Sequence, residues 1–496
     1  MTLQGDAGPV GLCSRAALCE AVSRLRGMRV TLMGLGLFGG GEGAARFLVD
    51  REAELTVTDL RPAERLGPTL EHLKGLPITY RLGEHVAADF EQAGLVVASP
   101  AVPRTSPFLR VAQRAGAPVT SPMDLFLALC PASVAAVTGS NGKSTTTALL
   151  AAMLGGAGHK VWLGGNIGIS LLPALPFIAP TDLVALELSS FQLEDAALLP
   201  WSPHVAVVTN ITPNHLDRHG TLEAYAEAKR GIVRFQGPQD FAVLNARNPI
   251  LKGWAEAGVP GTLVFFDPAP EAGVLLPGVS LVGDRLVWRM GDRHQVICRR
   301  EDVPLLGLHN TQNAMAAVAA ARCLGAGAEQ IREALLSFTG LEHRLEPVGE
   351  FGGLRFYNDS YSTTPAAGVA ALASFPGPLT LIAGGYDKQL DLSPFVRAIA
   401  RSVSVLVTIG KTGPFLAQKV REECASAGRR AVVREAATLD EAVLAARDLS
   451  SPGSVVLFSP GCASYDMFEN YNHRGKVFKD LVRAKLAQAD PKRQGA

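Results

Sequence analysis

Short apolar or β-branched runs recur along the chain, each ending in glycine, asparagine, serine or an acidic residue, and stretches of helical spacing lie between them. Runs of this length mark buried parallel strands whose carboxyl ends open into polar loops, so the pattern predicts α/β layers. The first group lies between Met28 and Pro131. MRVTLMG reads as a buried strand, GLGLFGGGEGAARFLVDR as a glycine turn and helix, and LTVTD as a second strand ending at Asp59, which together make a βαβ unit. Leu95 to Pro103 (LVVASPAVP) is a strand entering a proline-rich loop, the kind of edge that faces a ligand. The glycine-containing leader ahead of Met28 has no assigned element.

A second group runs from Ala132 to Gly340. VAAVT, DLVALELSS (Asp182 to Ser190) and HVAVVTNI (His204 to Ile211) are strands with polar ends, as parallel strands have when their carboxyl ends line a site. FAVLN, TLVFF and VSLVGDRLVW point to a mixed sheet or a small hairpin insertion, and NAMAAVAAARCLG is a closing helix that starts at Asn313. In the third group, Leu341 to Ala496, LTLIAGG, VSVLVTIG and SVVLFSPG form a further open α/β sheet. Three α/β domains are expected, at 1–131, 132–340 and 341–496. No repeat of fixed period and no low-complexity tract is visible.

Composition narrows the class. The 496 residues carry 47 Lys+Arg against 46 Asp+Glu, a net charge of +1 without long like-charged runs, which argues against a nucleic-acid or membrane surface. No run of about 18 apolar residues occurs, and the N-terminus lacks a basic start followed by an apolar core, so a cytoplasmic enzyme is expected. Cys13, Cys19, Cys130, Cys298, Cys323, Cys424 and Cys462 show no CxxC spacing; most are read as reduced, buried fillers, with neither zinc nor disulfides.

The densest chemical signal is Val134 to Thr147, VAAVTGSNGKSTTT. A strand runs into Gly139, Ser140, Asn141 and Gly142, then Lys143, Ser144 and Thr145 open a helix. Glycines turn amide N–H groups onto an anion, the helix end adds its positive dipole, the lysine reaches β and γ phosphates and a hydroxyl holds Mg²⁺. Val137 stands where the longer phosphate loop has glycine, so this is the shorter GxxGK[ST] form, and it predicts nucleoside triphosphate binding. Glu187, ending an apolar strand, is either a carboxylate for Mg²⁺ or a cap for the next helix. His215 is either a second metal ligand or a structural histidine. Lys229, in EAYAEAKRG, reads by composition as an ordinary solvent-facing helix lysine. Gly34, Gly36 and Gly39 with Asp59 fit a dinucleotide fingerprint, yet no second constellation for hydride transfer accompanies it.

GSNGKSTTT, GGNIG (Gly164 to Gly168), ELSSFQLE, NHLDRH, GLHNTQNAMAA, His343 with Arg344, Asn358 to Ser360 and SPGCASYDMF resemble, in order, the motifs of the Mur ligases, and ELSSFQLE and SPxCAS favour the glutamate-adding member. The resemblance spans nearly the whole chain. It implies a Rossmann-like UDP-binding domain, a central ATPase domain and a C-terminal Rossmann-like domain. It also implies ATP-driven phosphorylation of the carboxylate of UDP-N-acetylmuramoyl-L-alanine, then attack by the amine of D-glutamate on the acyl phosphate. Lys143, Ser144 and Thr145 would hold phosphates, and Ser144, Glu187 and His215 would hold Mg²⁺. Lys229 aligns with a carbamoylated lysine on a second Mg²⁺. Asn313, Arg344 and Asp359 would contact the nucleotide, Asn166 the muramoyl group, and Gly34, Leu35, Asp59 and Arg61 the uridine, with no NAD. Thr363, Lys388, Ser464 and Tyr465 would receive the glutamate. A monomer is expected.

Four positions depart from the family pattern: Asn214 replaces Asp before the metal histidine, Tyr361 replaces Lys, GGYDKQLD varies the segment around Lys388, and Gly461 replaces Ala. The first bears on metal, while Tyr361 and the Lys388 segment bear on the identity and chirality of the amino acid. Competing readings are an L-glutamate-adding ligase, a folylpolyglutamate synthase, an NAD-binding oxidoreductase or sensor fused to a phosphate-loop module, and a nucleotide binder without catalysis. The folate enzyme resembles only the last two domains, so residues 28–131 argue against it.

Overall fold

A computed structural model of the protein describes residues 10–36, 39–197, 199–267, 276–377 and 379–486. The chain divides into two compact units, one built from 1–303 and 312–338 and the other from 304–311 and 339–496.

The first unit contains two sheets. Strands β1 (Arg29–Met33), β2 (Glu54–Asp59), β3 (Ile78–Leu82), β4 (Leu95–Ala98) and β5 (Val119–Thr120) pair in parallel in the order β3-β2-β1-β4-β5. The order reverses at β1, so the loops after β1 and β4 meet: a Cβ on Gly34 would lie 3.0 Å from the Cβ of Ser99. The helix Gly40–Val49 lays Ala44, Ala45, Phe47 and Leu48 on this sheet with no exposed surface. Gly41 allows that approach, because a Cβ there would meet the Leu35 carbonyl oxygen at 2.1 Å. Residues 37 and 38 of the predicted glycine turn lie outside the described residues. Part of the unassigned leader is a helix, Arg15–Ser23, capped by Ser14, whose Oγ accepts from Ala17 N, and it buries Leu18 and Ala21.

Strands β6 (Ser133–Thr138), β7 (Val161–Gly165), β8 (Leu183–Glu187), β9 (Val205–Val208), β10 (Phe241–Asn245), β11 (Thr262–Phe266), β12 (Gly278–Val282), β13 (Arg285–Met290) and β14 (Arg293–Arg299) form the second sheet, ordered β14-β13-β12-β11-β10-β9-β6-β8-β7. Pairing is parallel from β7 to β12, and β12 to β14 add an antiparallel ribbon. The mixed-sheet and hairpin expectations therefore describe one continuous sheet. β6 lies between β8 and β9 with Val137 opposite Glu187 and Thr138 opposite Val208, which brings the three polar strand ends side by side. One apolar cluster runs from Leu18 and Phe47 through Phe126 to Leu186, Val208 and Trp254 and joins both sheets in a single body.

The closing helix spans Leu308–Cys323, so Asn313 lies in its second turn and not at its start. LHNTQ lacks the apolar period that marks the rest, where Ala314 to Ala321 are buried.

In the second unit, β15 (Glu346–Phe351), β16 (Leu354–Asn358), β17 (Leu379–Ala383), β18 (Val405–Thr408), β19 (Val432–Glu435) and β20 (Val455–Phe458) are ordered β15-β16-β20-β17-β18-β19. All pair in parallel except the β15–β16 hairpin. Apolar layers cover both faces, one including Phe356, Val407 and Phe478, the other Leu381, Phe395 and Leu416. All seven cysteines are free, but only Cys298, Cys424 and Cys462 are buried; Cys19 is exposed, which corrects the reading of most of them as core fillers.

Candidate active site

The predicted phosphate loop leaves β6 at Thr138 and caps the helix Lys143–Gly156 with Gly142 in the left-handed region, φ 82°. A Cβ on Gly139 would meet Thr209 Oγ1 at 2.0 Å, and one on Gly142 would meet Asn313 Oδ1 at 2.1 Å. Sterics thus demand glycine at both ends, and Asn313 stands directly against the loop. The residues after β9 brace it: Asn141 N donates to Asn210 Oδ1 at 3.0 Å, Thr209 Oγ1 to Asn141 O at 2.6 Å, and Ser140 Oγ to Thr212 O at 2.9 Å. Lys143 Nζ folds onto the carbonyls of Gly139 and Ser140 at 3.1 and 3.0 Å. Thr146 N donates the first ladder bond, to Gly142 O, so the amides ahead of it point out of the helix end, where Ser144 and Thr145 are buried.

Glu187 closes β8 beside this loop and is 1% exposed. Its Oε1 accepts from Asn166 Nδ2 at 2.7 Å, and Asn166 N donates to the Glu187 carbonyl at 2.9 Å, so Asn166 spends its amide on this carboxylate. Oε2 is buried without a hydrogen-bond partner. The capping alternative fails, because Ser189 and Gln192 form a complete capping box on the next helix, Ser190–Ala196.

Lys229 corrects the surface reading. It is 1% exposed, on the buried side of the helix Leu222–Arg230 with Tyr225 and Ala226. Its Nζ donates to Thr138 Oγ1 at 3.2 Å and lies 4.8 Å from the Tyr225 ring centroid. Burial, reinforced by the charge of Lys143, drives its pKa well below the usual lysine range, with Glu187 pulling the other way. His215, at φ 52° before the short helix Leu216–His219, is exposed, and its ring contacts Phe191 and Tyr225 at centroid distances of 5.1 and 6.5 Å. Tyr225, which the sequence reading passed over, donates to Ser140 Oγ at 3.1 Å and so links loop, lysine and histidine. Its spacing of four from Lys229 puts both on one helix face, a signal that was available.

Among the described residues no three His, Cys, Asp or Glu side chains cluster as metal donors. What converges is one buried carboxylate with an orphaned oxygen and several hydroxyls, a donor set that suits a hard cation such as Mg²⁺.

At the first sheet, Asp59 is 7% exposed and both its oxygens are engaged: Oδ2 accepts from Leu35 N and Gly36 N at 2.9 and 3.2 Å, Oδ1 from Arg61 N at 2.9 Å. The carboxylate that a dinucleotide fingerprint reserves for a ribose here orders the loop after β1, which carries Gly34 at φ 87°.

In the second unit, Asp359 is buried, accepts from Ser459 Oγ at 2.7 Å and Leu345 N at 3.2 Å, and burial raises its pKa to about 7. The Arg344 guanidinium lies 3.4 Å from the Tyr361 ring centroid. Thr363 and Lys388 line one cavity of about 10 Å³ with Thr412 and Cys462, room for a water and too little for an amino acid, so a larger ligand requires these side chains to move. Burial, aided by Arg474, lowers the Lys388 pKa. Ser464 is buried and Tyr465 is 57% exposed.

Arg474 was missed altogether. It is 1% exposed and donates to Ser360 Oγ and O at 3.0 and 2.8 Å and to the carbonyls of Cys462 and Ala463 at 3.0 Å each. Burial lowers its pKa to about 10. It ties the segment carrying Asp359 and Thr363 to the one carrying Ser464. Nothing in the local pattern of NYNHRGKVF marks it as buried.

Family models match in three consecutive stretches: "Mur ligase MurD-like, N-terminal domain" over 28–121, "Mur ligase middle domain" over 137–321, and "Mur ligase, glutamate ligase domain" over 343–462. The chain is 45% identical over 467 residues to a UDP-N-acetylmuramoylalanine--D-glutamate ligase of Roseiflexus sp., covering 93% of this chain and 99% of that protein. It is 40% identical over 456 residues to the enzyme of the same name from Symbiobacterium thermophilum, covering 92% and 98%. Among solved structures it resembles UDP-N-acetylmuramate-alanine ligase MurC of Thermotoga maritima at TM-score 0.60 and 20% identity, over 92% of this chain and 99% of that one. MurF ligase of the same organism, in complex with ADP, matches at TM-score 0.56 and 15% identity, over 94% and 97%.

The buried Asp359 sets a pH dependence. Its folded-state pKa, near 7, lies above the unfolded value, so between about pH 4 and pH 7 the folded form keeps a proton that the unfolded chain has lost, and stability falls as pH rises. Thermal melts from pH 5 to 8 should show the second unit losing stability (~2–4 °C per kcal/mol for a unit of this size), and Asp359→Asn should flatten that decline. An equally steep decline in the variant would contradict the assignment.

Proposed function

The chain belongs to the Mur ligase family, as an ATP-dependent ligase of peptidoglycan synthesis, and we propose how its own residues carry the reaction. The activity for which its relatives are named joins the amine of D-glutamate to UDP-N-acetylmuramoyl-L-alanine. A substrate carboxylate oxygen attacks the γ phosphorus of ATP, ADP leaves, and an acyl phosphate forms. The amine of glutamate then attacks the carbonyl carbon, the tetrahedral intermediate collapses, and inorganic phosphate departs. Negative charge accumulates at the first step, because a carboxylate approaches a triphosphate, so the site must supply cations and oriented N–H groups before the reactants meet.

Lys143, Ser144 and Thr145, with the amides of the loop, take the phosphates. Ser144, Glu187 and His215 hold Mg²⁺, with a carbamoylated Lys229 holding a second ion; bound there, Mg²⁺ neutralises phosphate charge. The orphaned Oε2 of Glu187 beside the phosphate loop is the observation that carries this reading. A buried amine with a depressed pKa is also the form that reacts with carbon dioxide, since the neutral nitrogen has the free electron pair. Asn166 reaches the muramoyl group with the part of its amide not donated to Glu187, while Gly34, Leu35, Asp59 and Arg61 form the uridine site. Asn313, Arg344 and Asp359 serve the nucleotide, and Thr363, Lys388, Ser464 and Tyr465 the glutamate. We assign the domain limits to 1–131, 132–340 and 341–496 and the setting to the cytoplasm, where ATP and UDP-linked substrate meet a monomeric enzyme. Among the described residues no helix is long and apolar enough to cross a membrane.

The reading is tested by ADP release from ATP and UDP-N-acetylmuramoyl-L-alanine with each enantiomer of glutamate. D-glutamate should support turnover at least ~100-fold faster than L-glutamate, since the wrong enantiomer leaves buried polar groups unpaired. Faster turnover with L-glutamate contradicts the assignment. Lys229→Ala should be folded and inactive, with partial recovery in acetate, which replaces the missing anion; an active variant, or a bare amine in intact mass spectra under bicarbonate, removes that role.

A further inference from the structure

The carboxyl edge of the second unit carries a cavity that the ligase reading leaves unused. It measures about 360 Å³ and lies where β18 and β19 end, lined by the turn after β18, by residues 435–437 and by Asp466 and Met467. None of the residues proposed above for nucleotide or glutamate lines it. Thr408, at the end of β18, is 1% exposed, and neither its Oγ1 nor Asp466 Oδ1 has a hydrogen-bond partner, although both atoms are buried. Buried oxygens of this kind call for a partner that the protein does not supply. A Cβ on Gly413 would stand 3.5 Å from Thr408 Oγ1, so the hydroxyl lies directly beneath the first residue of the helix Gly413–Ser426. Asp466 is fixed by its other oxygen. Its Oδ2 accepts from Lys411 N at 2.8 Å, and Gly410, at φ 69°, makes room for it, since a Cβ there would meet Oδ2 at 2.5 Å.

The turn reads GKTG, yet it is not a phosphate cradle. Lys411 N is spent on Asp466, Thr412 N donates to the Gly385 carbonyl and Gly413 N to the Gly410 carbonyl, each at 3.0 Å, and Pro414 has no N–H to offer. Against the carboxylates of Asp466 and Glu435 stand Lys411 in the lining and Arg421, 3.5 Å from Glu435, so the surroundings are balanced in charge. A neutral ligand suits them. The free oxygens are acceptors that call for hydroxyl or N–H donors, and Ile409, Pro414, Ala436, Ala437 and Met467 give the cavity apolar walls.

The topology points to the donor. β18, the glycine turn, the helix and β19 form a βαβ unit, and Glu435 ends its second strand about twenty residues past the turn, where such units place the carboxylate that meets a ribose. In the first sheet Asp59 holds that position and is consumed by its own loop. Glu435 lines a cavity instead.

We propose that this cavity is a second small-molecule site, which takes an uncharged ribonucleoside: the ribose diol donates to Glu435, a further donor meets Asp466 Oδ1, the Thr408 hydroxyl completes the polar side, and the base lies on the apolar walls.

The test titrates the full chain, labelled at its methionine methyl groups, with adenosine, uridine and cytidine in turn, and follows the NMR signal of Met467, identified through Met467→Leu. At least one nucleoside should shift that signal saturably with a dissociation constant below about 1 mM, and its 2′-deoxy form should bind about tenfold more weakly. Thr408→Val and Glu435→Gln should each weaken binding about tenfold. The valine variant removes only an unpaired buried hydroxyl, so it should melt no lower than the parent, which separates lost binding from lost folding. A Met467 signal unmoved by about 10 mM of every nucleoside overturns the proposal, as does a shift that persists undiminished in both variants. Tighter binding of the 5′-monophosphates would contradict the neutral ligand, and a response to Mg²⁺ alone, with none to nucleosides, would make the cavity a cation site instead.

Discussion

A lysine amine buried at the head of the central sheet, with the hydroxyl of Thr138 as its hydrogen-bond partner, is the constraint around which the nucleotide end of this protein is organised. A charge there is costly to desolvate, so burial holds the Lys229 pKa well below the usual lysine range, and Glu187, also buried, pulls it only partly back. Two lysines, 143 and 229, therefore share the surroundings of one carboxylate. The arrangement is electrostatically incomplete in the way a phosphoryl-transfer site must be before its anion arrives. Preorganised cations and amides do not have to reorient when the triphosphate binds, which is where such sites gain their rate. The fold creates this by register: β6, β8 and β9 are neighbours, so Thr138, Glu187 and the loop-bracing segment 209–212 emerge together.

The second unit repeats the theme with different means. Arg474 is a buried cation whose hydrogen bonds go to carbonyls and a hydroxyl, so its charge is solvated by dipoles and not cancelled. It lowers the pKa of Lys388 and ties the two segments that carry the proposed amino-acid contacts. A dicarboxylic amino acid brings the opposite charge to that place. Each unit holds positive potential in reserve at the carboxyl ends of its strands, the edge at which open α/β sheets bind ligands.

How much of this could be read from the chain follows from what each feature depends on. The phosphate loop was legible because its backbone admits only glycine at 139 and 142, and steric necessity writes itself into sequence. Sheet strands with continuous apolar runs were legible for the same reason, whereas β15, β16 and β19 alternate with exposed positions or sit at an edge and were not. Asp59 was legible as a fingerprint position but not in its role, because hydrogen bonds to Leu35 and Gly36 depend on a loop shape that the motif does not specify. Lys229 and Arg474 were invisible to composition, since a buried cation and a surface one have the same letter. For Lys229 the family resemblance supplied what composition could not, and the spacing to Tyr225 would have hinted at burial. Glu187 carried two readings until Ser189 and Gln192 proved to cap the next helix.

The central claim is that the site around the phosphate loop transfers a phosphoryl group from ATP to a carboxylate oxygen. The most direct measurement starts from UDP-N-acetylmuramoyl-L-alanine labelled with ¹⁸O in both carboxylate oxygens and follows the inorganic phosphate released during turnover with glutamate. Transfer through an acyl phosphate requires one labelled oxygen in every phosphate released. Phosphate that carries no label would show that ATP is hydrolysed by water, and the account of the site would be wrong.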